Sequence, residues 1–394
     1  MHLVVFSHLR WDFVFQRPQH LLSRLAATHP VVFVEEPVHT DGEAHLEERE
    51  PMPGVRVLRP HTPVRAPGFH DDQLGALKAL VDGWIEAHAL DDYAVWFYTP
   101  MALPLMADLA PRAVIYDCMD ELSAFRGAPR QMLQREQALL RRADLVLTGG
   151  PSLYEAKHAL HPNVLCLPSA VDALHFDRAN ALARSGLVAR ADALQGQVPT
   201  PRLGYYGVID ERLDLDLVAA VADADRSWQV VMVGPVVKID PAALPQRPNV
   251  HWLGQQPYEV LPQLVAGWDV CLMPFALNES TRFISPTKTL EYMAAGRPVV
   301  STGVHDVISL YGDVVRLGLD RPAFVRACRD ALVETPAQRQ AREAQMAARV
   351  ARYSWDETAR TILAAIARAV DADRTSADEA SARARAVAGG ARSA

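Results

Sequence analysis

The chain has 394 residues, of which 49% are hydrophobic and 22% charged, with a formal net charge of -7. That length predicts two or three domains with real cores, and the acidic balance argues against a nucleic-acid partner, which needs a basic excess or stripe. No run approaches the roughly 18 apolar residues of a membrane helix. The four cysteines, Cys118, Cys166, Cys271 and Cys328, are too scattered for a disulfide framework or a zinc site, which fits a reducing cytoplasm.

The opening residues carry no basic region and no small-residue cleavage site, so they read as a first strand at Leu3–Phe6 rather than a signal peptide. Short, mostly β-branched apolar runs then recur at Val31–Val34, Val55–Leu58, Ala94–Tyr98, Val114–Tyr116, Leu145–Leu147 and Val164–Leu167. The pattern restarts at Leu203–Tyr206, Val230–Val233, Val250–Leu253, Val270–Met273, Val299–Ser301 and Val314–Leu317. Runs of this kind suit strands buried on both faces, as in parallel sheets. Helical patterns lie between many of them, at Asp72–Ala89, Pro129–Arg142, Leu213–Asp223, Tyr258–Gly267, Thr287–Ala295 and Arg321–Val333, with a last one at Trp355–Val370. Alternation of strand and helix predicts an α/β fold with two doubly wound, Rossmann-like parallel-sheet domains. The expected division is a first domain over 1–170, a connection over 171–200, a second domain over 201–352, a helix over 353–370 and a tail over 371–394. The tail lacks large apolar residues and is expected to be disordered. Contact of its arginines with anionic lipid is an alternative, and a solvated tail is favoured.

Ligands of open parallel sheets bind beyond the carboxyl ends of the strands, so the residues just after each strand carry most information. After the first strand come Ser7, His8 and Arg10; His8 suits an orienting role toward an acceptor hydroxyl or a sugar, against an equally weighted structural role. Asp12 and Arg17 read as an internal salt pair. Asp117 and Asp120 follow another strand, and either suits a general base, although Asx-turn capping of the loop explains them slightly better. Gly149 and Gly150 permit close backbone approach or simply serve a turn.

The most informative segment is Ser285–Val300. Ser285 suits an N-cap and Pro286 the first helical position, while Gly296 and Pro298 suit the other end. The amino end of such a helix presents free N–H groups and a positive dipole to a phosphate. Lys288 and Glu291 share a face: Lys288 suits a diphosphate, and Glu291 suits two ribose hydroxyls one turn deeper. Taken alone, a surface i,i+3 pair explains them as well. Asp214-Leu215-Asp216 has the form of a metal-binding Asp-x-Asp, but it opens a helix, where acidic residues favour the dipole.

The pattern Pro-x-Lys-x-x-Glu-Tyr-x-Ala-x-Gly-x-Pro-Val-Val resembles the nucleotide-sugar motif of GT-B glycosyltransferases, particularly retaining family 4 (group 1) and its relatives. Ser7–Phe13, Gln16–His20, Tyr116–Glu121 and Gly204–Arg212 look like a bacterial polysaccharide-type subgroup. Leu167–Asp172 resembles the family's hinge, and Ser354–Asp356 its final helix, which crosses back to the first domain. The resemblance implies a glycosyltransferase that takes its sugar from a UDP- or GDP-sugar, the nucleotide-sugar being a substrate and no cofactor or metal being needed. The acceptor would be a glycan or lipid-linked, with peripheral contact at the inner face of a membrane a natural companion. Arg212 and, with looser alignment, Lys238 correspond to basic residues on the donor diphosphate. Ser285, Pro286, Thr287, Lys288, Glu291, Gly207 and Gly234 fall to the donor side, and Arg10, Asp117 and Asp120 to the acceptor side. One departure stands out: many members carry a Glu eight positions before the ribose-binding one, and here that position is Phe283. A nucleotide-sugar epimerase and a noncatalytic partner subunit on the same fold are the rival readings. A nicotinamide oxidoreductase is disfavoured, because no Gly-x-Gly-x-x-Gly follows Leu3–Phe6.

Overall fold

The structure is a computed structural model, and it describes residues 1–371. The expected disordered tail lies outside the described residues, apart from residue 371.

Two sheets form. The first contains β1 (His2–Ser7), β2 (Val31–Glu35), β3 (Val38–His39), β4 (His45–Met52), β5 (Val55–Thr62), β6 (Tyr93–Phe97), β7 (Val114–Cys118), β8 (Leu145–Thr148) and β9 (Val164–Cys166). Its order is β3-β5-β2-β1-β6-β7-β8-β9, with β4 antiparallel to β5. The second contains β10 (Arg202–Tyr206), β11 (Gln229–Val233), β12 (Val250–Trp252), β13 (Val270–Met273), β14 (Val299–Ser301) and β15 (Arg316–Leu317). Its order, β12-β11-β10-β13-β14-β15, is the 3-2-1-4-5-6 winding of a Rossmann sheet. Both sheets therefore reverse direction of winding beside their first strand, and each opens a crevice there at the carboxyl ends.

The continuous Val/Ile/Leu runs form central strands because helices cover both faces. Leu3 and Val5 enter one core and Val4 and Phe6 the other, as alternation along a strand requires. Residues 171–200 are more than a connection. They form helices at Ala173–Phe176, Arg178–Ala183 and Ser185–Gln195, and Phe176 and Ala191 join the core of the second sheet. Gln195 accepts a hydrogen bond from the buried Trp268 indole at 2.9 Å.

The last helix among the described residues, 355–371, packs on the first sheet. Trp355, Ile362 and Ile366 are fully or almost fully buried there, beside Leu21 and Leu25. Trp355 also stacks on His20 at 4.8 Å. No helix among the described residues is long and apolar enough to cross a membrane.

Because Trp355 fastens the 355–371 helix to the first lobe, Trp355→Ala should destabilise the protein by about 3–5 kcal/mol through cavity formation. Equilibrium urea unfolding measures this, and a change under about 1 kcal/mol would mean the helix is not anchored by its tryptophan.

Candidate active site

A cavity of about 810 Å³ lies between the two sheets. The first lobe contributes the loop Trp11–Arg17, Asp120 and Gly149; the second contributes Tyr205–Val208, Arg212, Gly234, Gln255–Glu259 and Ile284–Lys288, with Glu291 behind. Of the residues expected on the donor side, Ser285, Pro286, Thr287, Lys288, Glu291, Gly207 and Gly234 all line this space, as do Arg212 and Asp120.

The helix Lys288–Ala294 begins two residues later than the sequence suggests. Thr287 is already helical and no side chain caps the end, so Ser285 is not an N-cap. The Thr287 hydroxyl instead donates to the Ser169 hydroxyl at 3.1 Å, and Ser169 donates to the Ser285 carbonyl at 3.0 Å. These bonds tie the amino end of the helix to the junction of the lobes. The far end closes as expected, with Gly296 in the left-handed region at φ 66.

Lys288 and Glu291 are not a surface pair. Glu291 is only 5% exposed and accepts a hydrogen bond from the Tyr206 hydroxyl. Burial pushes its carboxyl up to about 7, against the pull of Tyr206 and Lys288. Burial and the nearby Arg212 push Lys288 down to about 8. Its ammonium lies 5.7 Å from the Tyr205 ring centroid, and among the described residues it has no ion-pair partner. The side chain crosses Gly207, whose φ is 141; a Cβ there would stand 2.3 Å from Lys288 Cε. Only glycine leaves that path open.

Arg212 is aimed by its neighbour Asp210, to which it bonds through Nε at 3.0 Å and Nη2 at 2.7 Å. The acidic stretch around it is therefore a mount rather than a surface decoration. Asp120 faces this group: burial raises its carboxyl to about 6, with Arg212 lowering and Asp210 raising it. Phe125, which the sequence reading missed, places its ring 5.6 Å from the Arg212 guanidinium carbon and 5.8 Å from Lys238 Nζ. The adjacent Arg126 N–H donates to Glu211 at 3.2 Å, so this first-lobe loop bridges the lobes. No sequence signal marks Phe125; it sits in an irregular loop.

Four expected residues lie outside the cavity lining: His8, Arg10, Asp117 and Lys238. Asp117 is corrected as an acceptor-side base. Strand β7 runs through it to Cys118, and its carboxylate is fully buried against Arg17 at 3.1 Å. The expected Asp12–Arg17 pair is likewise replaced by Arg17–Asp117, while Asp12 pairs with Arg49. Arg10 is corrected too. Its guanidinium turns into its own lobe, to Glu35 at 3.2 Å and to the carbonyls of Glu36 at 2.6 Å and Pro37 at 3.3 Å. His8 remains at the lobe interface; burial and Lys238 push it down to about 4, so it is a neutral imidazole at pH 7. In Asp214-Leu215-Asp216, Asp214 caps its helix by accepting from Leu217 N–H at 2.8 Å, and Asp216 pairs with Arg321 at 3.6 Å. Phe283 packs against the core of the first lobe with Arg282 over its ring at 5.1 Å, so the position that carries Glu in many GT-B enzymes is an interlobe contact here.

Two doubly wound sheets face one another across a cavity, and a buried carboxylate and an unpaired ammonium line its second-lobe wall. Comparison with solved structures assigns this fold as GT-B. Sucrose-phosphate synthase from Thermosynechococcus elongatus aligns with a TM-score of 0.69 at 17% identity, over 94% of this chain and 100% of that one. Anabaena Alr3699/HepE, solved with UDP, aligns with a TM-score of 0.66 at 13% identity, over 93% and 100%. A trehalose-6-phosphate protein from E. coli, bound with UDP-2-fluoro glucose, gives 0.63 at 12% identity, over 93% and 99%. In sequence, residues 200–333 match the family model described as glycosyl transferases group 1. A Bacillus subtilis (strain 168) protein named for teichuronic acid biosynthesis, glycosyltransferase TuaH, is 26% identical over 255 residues; the match spans 58% of this chain and 60% of that protein's length.

Asp117→Ala would leave the buried Arg17 charge with no carboxylate, only the Leu167 carbonyl at 2.8 Å, and should cost about 3–5 kcal/mol of stability. Chemical denaturation reads this directly, and an unchanged midpoint would contradict a structural role for the pair.

Proposed function

We propose that the protein transfers a glycosyl group from a nucleoside-diphosphate sugar to a hydroxyl of a glycan or lipid-linked acceptor. The observation that carries this reading is the buried Glu291, one turn beyond an unpaired Lys288, both facing the interlobe cavity. A carboxylate there accepts hydrogen bonds from two ribose hydroxyls; an ammonium at the neighbouring turn takes the diphosphate. The match of residues 200–333 to the group 1 glycosyl transferase model supports the reading, because all of these residues fall inside it.

As the sugar's bond to the diphosphate breaks, negative charge grows on the leaving oxygen. Lys288 and Arg212 are positioned to stabilise it, Arg212 through a guanidinium fixed beforehand by Asp210. Such preorganised charge is usually the largest catalytic contribution. In this reading transfer proceeds with retention, and a phosphate oxygen of the leaving group takes the acceptor's proton. That assignment leaves Phe283 free for packing. Synthesis of a cell-surface polysaccharide suits the teichuronic acid name carried by the Bacillus relative. A lipid-linked acceptor would bring the enzyme to a membrane surface.

A thermal-shift series with UDP and GDP tests the donor side, since a ligand that binds only the native state raises the midpoint. UDP comes first because two of the structural neighbours were solved with uridine nucleotides bound. Glu291→Gln should weaken the effective nucleotide by roughly tenfold or more, the weight of a hydrogen bond to a charged group. Its own midpoint should not fall, because a buried charge has been removed. Equal affinity of the variant, or no shift with any nucleoside diphosphate, would defeat the reading.

A further inference from the structure

A second cavity, of about 860 Å³, lies in the second lobe at the far end of its sheet. Pro201, Asp269 and Pro298 line it, and each directly precedes a strand (β10, β13 and β14), whereas the cleft residues follow strands. The five residues of β10 put roughly 16 Å between the two. The walls come from three separate parts of the chain. Arg178 opens the helix Arg178–Ala183, Arg297 follows the Lys288–Ala294 helix after one glycine in the left-handed region, and Arg339 belongs to the helix Pro336–Val350. That last helix starts on a capping box of Thr335 and Gln338, and its period sets Arg339, Arg342 and Glu343 on one face.

Four guanidiniums and four carboxylates line this space, and they do not cancel. Three of the carboxylates are engaged elsewhere. Asp177 accepts from Asn180 N–H at 2.9 Å, and Asp269 from Arg202 N–H at 2.7 Å. Glu334 is shared by Arg342 at 3.0 Å and Arg316 at 2.9 Å, and Arg342 also donates to the Gly296 carbonyl at 3.0 Å. Arg178, Arg297 and Arg339 have no ion-pair partner among the described residues, and neither has Glu343. Arg297 is the least satisfied of them. Its Nη2 donates to the Ala266 carbonyl, but its Nε is buried without a partner. Burial and, after it, the Arg178 charge lower its pKa, with Cys271 and Asp269 acting the other way. An arginine cannot shed its proton in a protein. A partly buried one without a carboxylate is therefore compensated by an anion from outside the chain.

We propose that this second cavity binds a phosphate monoester of a sugar or other polyol, its phosphate held by Arg178, Arg297 and Arg339. A phosphate presents three strong acceptor oxygens in different directions, which suits three guanidiniums brought by three separate elements. A carboxylate presents one planar edge, which suits a single arginine. Leu174, Met293 and Ala347 give the body of the ester an apolar wall. Glu343, without a cation of its own, accepts from the hydroxyls of that body.

Isothermal calorimetry of the full chain at fixed ionic strength tests this. The probes are ribose 5-phosphate and glycerol 3-phosphate as esters, ribose as the neutral body, inorganic phosphate as the bare anion and gluconate as the carboxylate. The esters should bind more tightly than the other three, and saturating UDP should not displace them. Arg297→Gln and Arg339→Gln should each weaken the esters by roughly tenfold, with UDP affinity and the melting midpoint preserved. No binding of either ester, or an unchanged affinity in both variants, would overturn the site. Displacement of the esters by UDP would put them in the cleft and overturn it too. Inorganic phosphate or gluconate binding as tightly as the esters would overturn the ligand class.

Discussion

Everything on the second-lobe wall of the cavity turns on one constraint: Lys288 is a half-buried cation with no ion-pair partner among the described residues, and the carboxylates of Glu291, Asp210 and Asp120 offset its burial only in part. Isolated buried charge is costly, and proteins answer by pairing it or by shifting its protonation. Here the answer is partial. Glu291 lies one turn away but is engaged by Tyr206, and Arg212 adds a second positive charge nearby. The site is thus electrostatically unfinished, and a diphosphate would complete it. Backbone geometry supports the arrangement, since the lysine side chain passes over Gly207, where a Cβ would stand 2.3 Å from its Cε.

The lobes are held so that this unfinished site faces the first sheet. The Ser169 hydroxyl binds the loop just before the Lys288 helix, and Asp306 of the second lobe accepts from Ser152 N–H of the first at 3.0 Å. On another side Phe15 stacks on Tyr258 at 4.6 Å, and Gln255 reaches the Phe13 carbonyl at 2.5 Å. Phe125 spans the gap over Arg212 and Lys238. These contacts are individually modest. Together they set how far the first-lobe groups stand from the cations.

The central strands were legible because a parallel strand covered on both faces must be apolar throughout, and thirteen such runs stand out in the sequence. Less visible was β4, His-Leu-Glu-Glu-Arg-Glu-Pro-Met, an exposed edge strand with no apolar face to betray it. The helix Pro336–Val350 was missed for a related reason: its Ala, Arg and Gln residues bury just Arg342, Met346 and Val350. In the site, Lys288 and Glu291 were found by helix grammar and spacing, and the fold then decided between surface pair and cavity wall. Asp117 was misplaced because β7 runs two residues beyond the expected Val114–Tyr116, to Cys118, which puts Asp117 inside the strand rather than after it.

The most direct measurement of the central claim is the proton balance of nucleoside-diphosphate binding. In the free protein Lys288 titrates at about 8, down from its ordinary 10.5, and an arriving anion must raise it again. At pH 8.5 binding should therefore take up protons, while Glu291, at about 7, is already ionised and contributes none. Isothermal calorimetry of UDP or GDP in buffers of different ionisation enthalpy gives that number. Net uptake at pH 8.5, falling away toward pH 7.5, is the expected result. Tight binding with no proton uptake at pH 8.5 would show that Lys288 is not the group the diphosphate meets.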